Sequence, residues 1–254
     1  MKSKNHRPIF ILSPFNLEGK RTVNYKLPPL KKMNPDGGGV IDYEDALRKK
    51  NHMKVLVIVA HPNKASFNHA IAGTCSKTLS GNGHEVIVHD LYDENFDPLL
   101  PFGEFTKDAA LPPQIQRHCD EISQADGIVI VHPNWWGQPP AILKGWVDRV
   151  IRPGVAYEFL EGDSGEGVPR GLLKAHSAVV LNTSNTGTTR EKTVFGDPLQ
   201  LIWENCVFGL CGVPTFHRRM FNIVVTSNEV QRREWLSEVV VIINRFFPKG
   251  ANNQ

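Results

Sequence analysis

The chain has no apolar run long enough to cross a bilayer, no C-x-x-C pair and none of the common glycine-rich nucleotide fingerprints. Each absence excludes something. A membrane-spanning helix needs about 20 consecutive apolar residues, so these 254 residues, 41% hydrophobic and 22% charged, read as an ordinary soluble globular protein. The four cysteines (Cys75, Cys119, Cys206 and Cys211) are scattered. That spacing suggests neither a disulfide framework nor a metal site, and a reduced, cytoplasmic compartment is expected. The start, Met1 to Pro8, lacks the long apolar core of a secretory leader. Without G-x-G-x-x-G, a Walker loop or a G-x-S-x-G elbow, the usual motif routes to a Rossmann site, a P-loop or an α/β-hydrolase are closed. No internal repeat is present.

Charge is unevenly distributed. Residues 1–52 carry eleven Lys or Arg against five Asp or Glu, a surplus of six, which leaves residues 53–254 at −3 within a chain of +3. The basic lead has no RNA- or DNA-binding motif, and its Pro, Gly and Lys content is that of a solvated tail. We expect a partly disordered extension over 1–52, a folded domain over 53–254 and no nucleic-acid partner.

From Lys54 the pattern is regular. Val55–Ala60, Glu85–Asp90, Gly127–Val131, Ser177–Leu181 and Pro214–Val224 read as strands. Between them lie helical stretches. One is capped by Ser66 and stopped at Gly81-Asn-Gly83. Another covers Gln114–Ser123, and a third follows Pro139-Pro140 with Ile142, Leu143, Trp146, Val147 and Val150 on one face. Asp197-Pro198 opens a fourth, with Leu199, Ile202, Trp203, Cys206 and Leu210 on one face. A capping box at Thr226–Glu229 opens the last. Asp93–Pro113, Tyr157–Leu173 and Asn182–Lys192 read as irregular. Five strands alternating with helices predict an α/β fold: a flavodoxin-like, doubly wound parallel sheet of order 2-1-3-4-5, with its ligand site at the carboxyl ends of strands 1 and 3.

Three loops should meet there. His61-Pro-Asn-Lys-Ala-Ser-Phe-Asn68 opens a helix, whose N-terminus suits phosphate. His61 and Lys64 can add charge, and Ser66 and Asn68 hydrogen bonds. A capped helix beside a solvated lysine is an equal reading. His132–Gly137 places Trp135 and Trp136 beside Pro133, Asn134 and Gly137. That combines an aromatic wall with backbone donors, as a flavin ring requires. Asn182–Thr189 is dense in small hydrogen-bonding groups.

Ala60-His61-Pro, Ser66-Phe67-Asn68 and the long stretch Pro133-Asn-Trp-Trp-Gly-Gln-Pro-Pro-Ala-Ile-Leu-Lys-Gly-Trp-Val-Asp-Arg149 resemble the NAD(P)H:quinone oxidoreductase (DT-diaphorase) family, across roughly Met53 to Phe247. The resemblance implies a homodimer with FAD, or FMN, in two interface sites, reduced by NAD(P)H and reoxidised by quinones. No side chain need be catalytic, because the hydride passes through the flavin. His61, Ser66, Phe67 and Asn68 would hold phosphate, and Pro133, Asn134, Trp135, Trp136 and Gly137 would line the ring. Ser184, Asn185 and Gly187 would hold its far edge, and Tyr157 and Phe159, with Trp136, would wall the substrate pocket. One departure is visible. Where the animal enzymes carry a Tyr and a His after the fourth strand, this chain has Thr189 and Phe195, with Arg190 and Lys192 nearby.

Three other readings belong to different classes: a flavin-containing regulatory subunit of a potassium efflux system, with a membrane partner; a flavodoxin-type electron carrier; and a hydrolase built on Ser66 and His61. The flavodoxin threonine-rich loop is missing after strand 1, and no acid is recognisably placed to orient His61.

Overall fold

The computed structural model describes residues 52–160 and 167–250. Except for His52, the expected extension over 1–52 lies outside the described residues. Strands are β1 (Lys54–Val59), β2 (Glu85–Asp90), β3 (Gly127–Pro133), β4 (Tyr157–Glu158), β5 (Arg170–Gly171), β6 (Ser177–Ser184) and β7 (Thr215–Asn222). Helices are α1 (Phe67–Gly81), α2 (Pro113–Gln124), α3 (Ala141–Val150), α4 (Thr188–Thr193), α5 (Pro198–Leu201) and α6 (Glu229–Phe246). A π-helical segment, Ile202–Gly209, continues α5.

Five strands form one parallel sheet, ordered β2-β1-β3-β6-β7. The expected order 2-1-3-4-5 is corrected to 2-1-3-6-7. The irregular passage after Tyr157 contains β4 and β5, which pair antiparallel in a sheet of their own. Two-residue strands leave no periodic trace in a sequence.

The middle strands are apolar and β-branched because both faces are covered. In register, Leu56, Ile128 and Ala178 face one side; Val57, Val129 and Val179 face the other. The first side packs against Ile115, Trp146 and Trp203, from α2, α3 and the π-helical segment. The second packs against Ile71, Cys75 and Ile243, from α1 and α6.

One helix start, one strand end, one added helix and one helix face differ from expectation. Asn228, not Thr226, caps α6, accepting from the Gln231 N–H at 2.9 Å. Asn182–Ser184 extend β6, and Thr188–Thr193 form α4, where a polar loop was read. In the π-helical segment an extra residue per turn rotates the apolar face. Trp203, Val207 and Phe208 are therefore buried while Cys206 is exposed. Among the described residues no helix is long and apolar enough to cross a membrane.

Candidate functional site

A parallel sheet whose first strand is central sends the loops after β1 and β3 to opposite faces, and a crevice opens between them. In this chain the loops after β1, β3 and β6 line one cavity of 610 Å³ there. His61, Ser66, Phe67, Asn68, Pro133, Asn134, Trp135, Ser184 and Asn185 all contribute, nine of the residues singled out from the sequence. Trp136 and Gly137 instead line an adjoining 520 Å³ cavity with Arg190, Glu191, Phe195 and Pro198. Asn134 and Thr186 border both cavities.

The first loop is built by hydrogen bonds that leave donors over. Ser66 caps α1, its Oγ accepting the His69 N–H at 3.3 Å, and a chain runs on from Ser66 Oγ to His69 Nδ1 (3.0 Å) and from His69 Nε2 to Asp90 Oδ2 (2.9 Å). An acid thus stands behind Ser66, but through His69 and not His61, and the hydroxyl is engaged as a helix cap. The other N–H groups of the first turn have no acceptor within the helix. His61 Nδ1 accepts the Asn63 N–H at 3.1 Å, which leaves Nε2–H as a donor at the cavity wall. Burial pulls its pKa below the ordinary histidine value, so the ring is a neutral donor at pH 7. Lys64 does not line the cavity; its ammonium pairs with Asp93.

In the second loop, Trp135 and Gln138 exchange backbone hydrogen bonds at 3.0 Å each, closing a tight turn with Trp136 (φ 58°) and Gly137 (φ 72°) in the left-handed region. Two consecutive positive φ values define a type I′ turn, which suits glycine and disfavours tryptophan. Asn134 braces it: its N–H donates to the Thr183 carbonyl at 2.6 Å and its Oδ1 accepts the Gly137 N–H at 3.0 Å. The Trp136 indole is fully exposed, whereas Trp135 is partly covered, its ring 6.1 Å from that of His61.

Beneath this loop His132 is wholly buried. Its Nδ1–H donates to the Pro133 carbonyl (2.8 Å), while Nε2 accepts from Asn182 (2.8 Å) and from the Trp203 indole N–H (3.0 Å). Burial pushes its pKa down to about 4.

The third loop ties the first to the sheet. Asn68 and Thr183 exchange side-chain hydrogen bonds at 2.9 and 3.2 Å, Ser184 Oγ accepts the Thr186 N–H, and Asn185 Oδ1 accepts the Val225 N–H. Gly187 caps α4 and lines neither cavity. Tyr157 and Phe159 line a third cleft, of 490 Å³, with Val147, Ile151 and Cys206.

Sequence reasoning missed Arg232, which reaches the 610 Å³ cavity from the first turn of α6. Its guanidinium donates to Ser227 Oγ (2.8 Å) and the Val224 carbonyl (3.2 Å) and lies 5.9 Å from the Phe67 ring centroid. A basic side chain next to a helix cap was the available signal. Glu191 was missed because an acid in a polar stretch reads as solvated, yet it is 1% exposed.

These residues fit a flavin. A cavity of this size is in the cofactor range, with anion donors at one end and an aromatic wall with backbone donors at the other. Residues 53–238 match the family described as flavodoxin-like fold. An "Uncharacterized NAD(P)H oxidoreductase" of Haemophilus influenzae is 35% identical over 185 residues, 71% of this chain and 89% of that protein. The human "Ribosyldihydronicotinamide dehydrogenase [quinone]" is 31% identical over 170 residues, 59% of this chain and 72% of that one. The solved "NAD(P)H:quinone oxidoreductase from Methanothermobacter marburgensis" superposes with a TM-score of 0.66 at 26% identity, covering 76% of this chain and 96% of that one. The chain belongs to the flavodoxin-like NAD(P)H:quinone oxidoreductase family and is an oxidoreductase.

Proposed function

We propose that the protein is a cytoplasmic, FAD-containing NAD(P)H:quinone oxidoreductase that works as a homodimer. The observation that carries this reading is the meeting of three loops, from β1, β3 and β6, around one cavity that holds donors and the Trp135 indole, with Trp136 on the adjoining one. Bound there, the flavin would take a hydride from NAD(P)H and deliver two electrons to a quinone. The chain's own residues bind and orient. The first turn of α1 and His61 Nε2–H hold phosphate, and Phe67, Asn68 and Ser66 shape that end. The turn at Trp135–Gln138 walls the ring, with Pro133, Asn134 and Gly137, and Ser184 and Asn185 border the far side, while Gly187 stands back from both cavities as the cap of α4.

Arg232 favours FAD over FMN. Its guanidinium lies beside Phe67 at the α1 end of the cavity, where it would add a cation for a second phosphate. The dimer explains Tyr157 and Phe159: they line a separate cleft of their own chain, so they would serve as a substrate wall for the partner subunit's site. NAD(P)H and quinone would occupy in turn the slot between the ring and a substrate wall of Trp136, Tyr157 and Phe159.

The purified protein is expected to be yellow, to release FAD on denaturation, and to bleach under NADH or NADPH without oxygen. Colourless protein that takes up neither FAD nor FMN would overturn the reading.

A further inference from the structure

Glu191 sits on α4, two residues beyond Thr189. Its carboxyl is 1% exposed, a place where an apolar side chain would cost nothing in desolvation. Among the described residues its one side-chain hydrogen bond runs to Asn134 Nδ2, at 3.0 Å. That bond does more than satisfy the acid. A carboxylate accepts and cannot donate, so the Asn134 amide must turn its NH₂ toward Glu191. Its oxygen then faces the other way, where it accepts the Gly137 N–H at 3.0 Å. Were the amide reversed, NH₂ would meet N–H, and the turn carrying Trp136 in its disfavoured left-handed conformation would lose its brace.

We propose that Glu191 is a positioning residue for flavin, acting through Asn134. The carboxylate sets the sense of the amide, and the amide holds the Trp135–Gln138 turn in the form that receives the ring. Glu191 also lines the cavity beside Trp136, so its carboxylate would place negative charge near a ring held there. This rests on the flavin reading above.

The test uses the full-length protein, reconstituted with FAD and followed by flavin fluorescence and redox titration. Glu191→Gln can offer Asn134 either a donor or an acceptor, so it removes the orienting bias at constant volume. Glu191→Asp keeps the charge but draws it back from Asn134. Both are expected to raise the FAD dissociation constant about tenfold, the size of one lost charge-assisted hydrogen bond. Only Glu191→Gln should also move the bound flavin's midpoint potential to more positive values. Combined with Asn134→Leu, which alone weakens FAD to the same extent, Glu191→Gln should add no further loss of affinity. Wild-type affinity in both Glu191 variants, or effects that multiply with Asn134→Leu, would overturn the proposal while leaving the flavin reading intact. A wild-type protein that takes no flavin would overturn both.

Discussion

Two buried polar clusters differ in what they leave unsatisfied. One lies under the excursion between β2 and α2. There His89 Nδ1 faces Glu94 at 2.6 Å and its Nε2 faces Glu121 at 2.5 Å, so both nitrogens donate and the ring is an imidazolium. The carboxylates hold its pKa above the ordinary value despite burial, and Glu94 is pulled down to about 2 by His118 and His89. His118 Nδ1 accepts the Trp146 indole N–H at 3.1 Å, which leaves its Nε2–H to donate to Glu94 at 3.1 Å. Nearby, Arg149 grips Glu104 through two nitrogens, at 3.0 and 2.5 Å. His89, Glu94 and His118 offer ligand atoms within 4.8 Å of one another, but an ion could bind all three only if Trp146 gave up its acceptor.

The second cluster, around His132, Asn134 and Asn182, is just as well bonded below. At its upper edge, however, it presents an exposed indole and, across the cavity, the backbone donors at the start of α1. A cluster whose donors and acceptors match one for one is framework. A cluster with donors left at a cavity wall is prepared for a ligand.

The largest expected effect tests the framework side. At Gly145, inside α3, alanine would normally favour the helix by about 1 kcal/mol. Here its Cβ would lie 2.2 Å from the Pro98 carbonyl oxygen of the excursion. Gly145→Ala should therefore lose about 3 kcal/mol in urea unfolding, and a gain would mean the excursion is not pinned.

Acid should separate the two clusters. Burial lowers the His132 pKa from 6.5 to about 4, so the unfolded chain takes the proton first. The stability this ring contributes is complete above pH 6.5 and is lost as pH falls toward 4, about 3 kcal/mol in all. His132→Gln should flatten that limb; an unchanged slope would assign it to His118 and His217, whose pKa values are also lowered. His89 has the opposite sign. Its raised pKa gives stability that is complete below pH 6.5 and is lost as pH rises through the raised value. Glu94 contributes above pH 4.5 and loses that contribution on the way down to about 2.

A smaller effect should appear at the ligand edge. Trp136→Gly relieves a left-handed tryptophan and should stabilise the fold by up to about 1 kcal/mol, while FAD affinity falls at least tenfold. Retained affinity would remove the indole from the flavin wall. Smallest of all, Lys64→Ala should change neither the unfolding midpoint nor FAD affinity, because the ammonium pairs with Asp93 in full solvent. Weaker FAD binding would return Lys64 to the phosphate end.

What the sequence made legible follows from how each feature is encoded. β1, β2 and β3 announce themselves as β-branched runs, and Ser66 as a cap, because those signals are local. The reach of β6 to Ser184 was hidden: Asn182 and Thr183 look like loop residues until His132 and Asn68 are found across the sheet to satisfy them. The burial of Glu191 and the arrival of Arg232 depend on segments 57 and 165 residues away from Asn134 and Phe67, distances that no periodicity spans. The turn at Trp136 was read for its rings, but its left-handed backbone could not be read, since tryptophan seldom adopts it.

The strand order has a consequence in time. In chain order β2 pairs with one edge of β1, and β3, β6 and β7 follow on the other edge, each beside a strand earlier in the sequence. A chain growing from its amino end can therefore assemble its sheet by accretion, without reopening a finished edge. The three loops that face the cofactor do not follow that gradual course. The last of them is completed only with Ser184 and Asn185, and Arg232 comes only with α6, so the cavity wall draws on nearly the whole length of the domain.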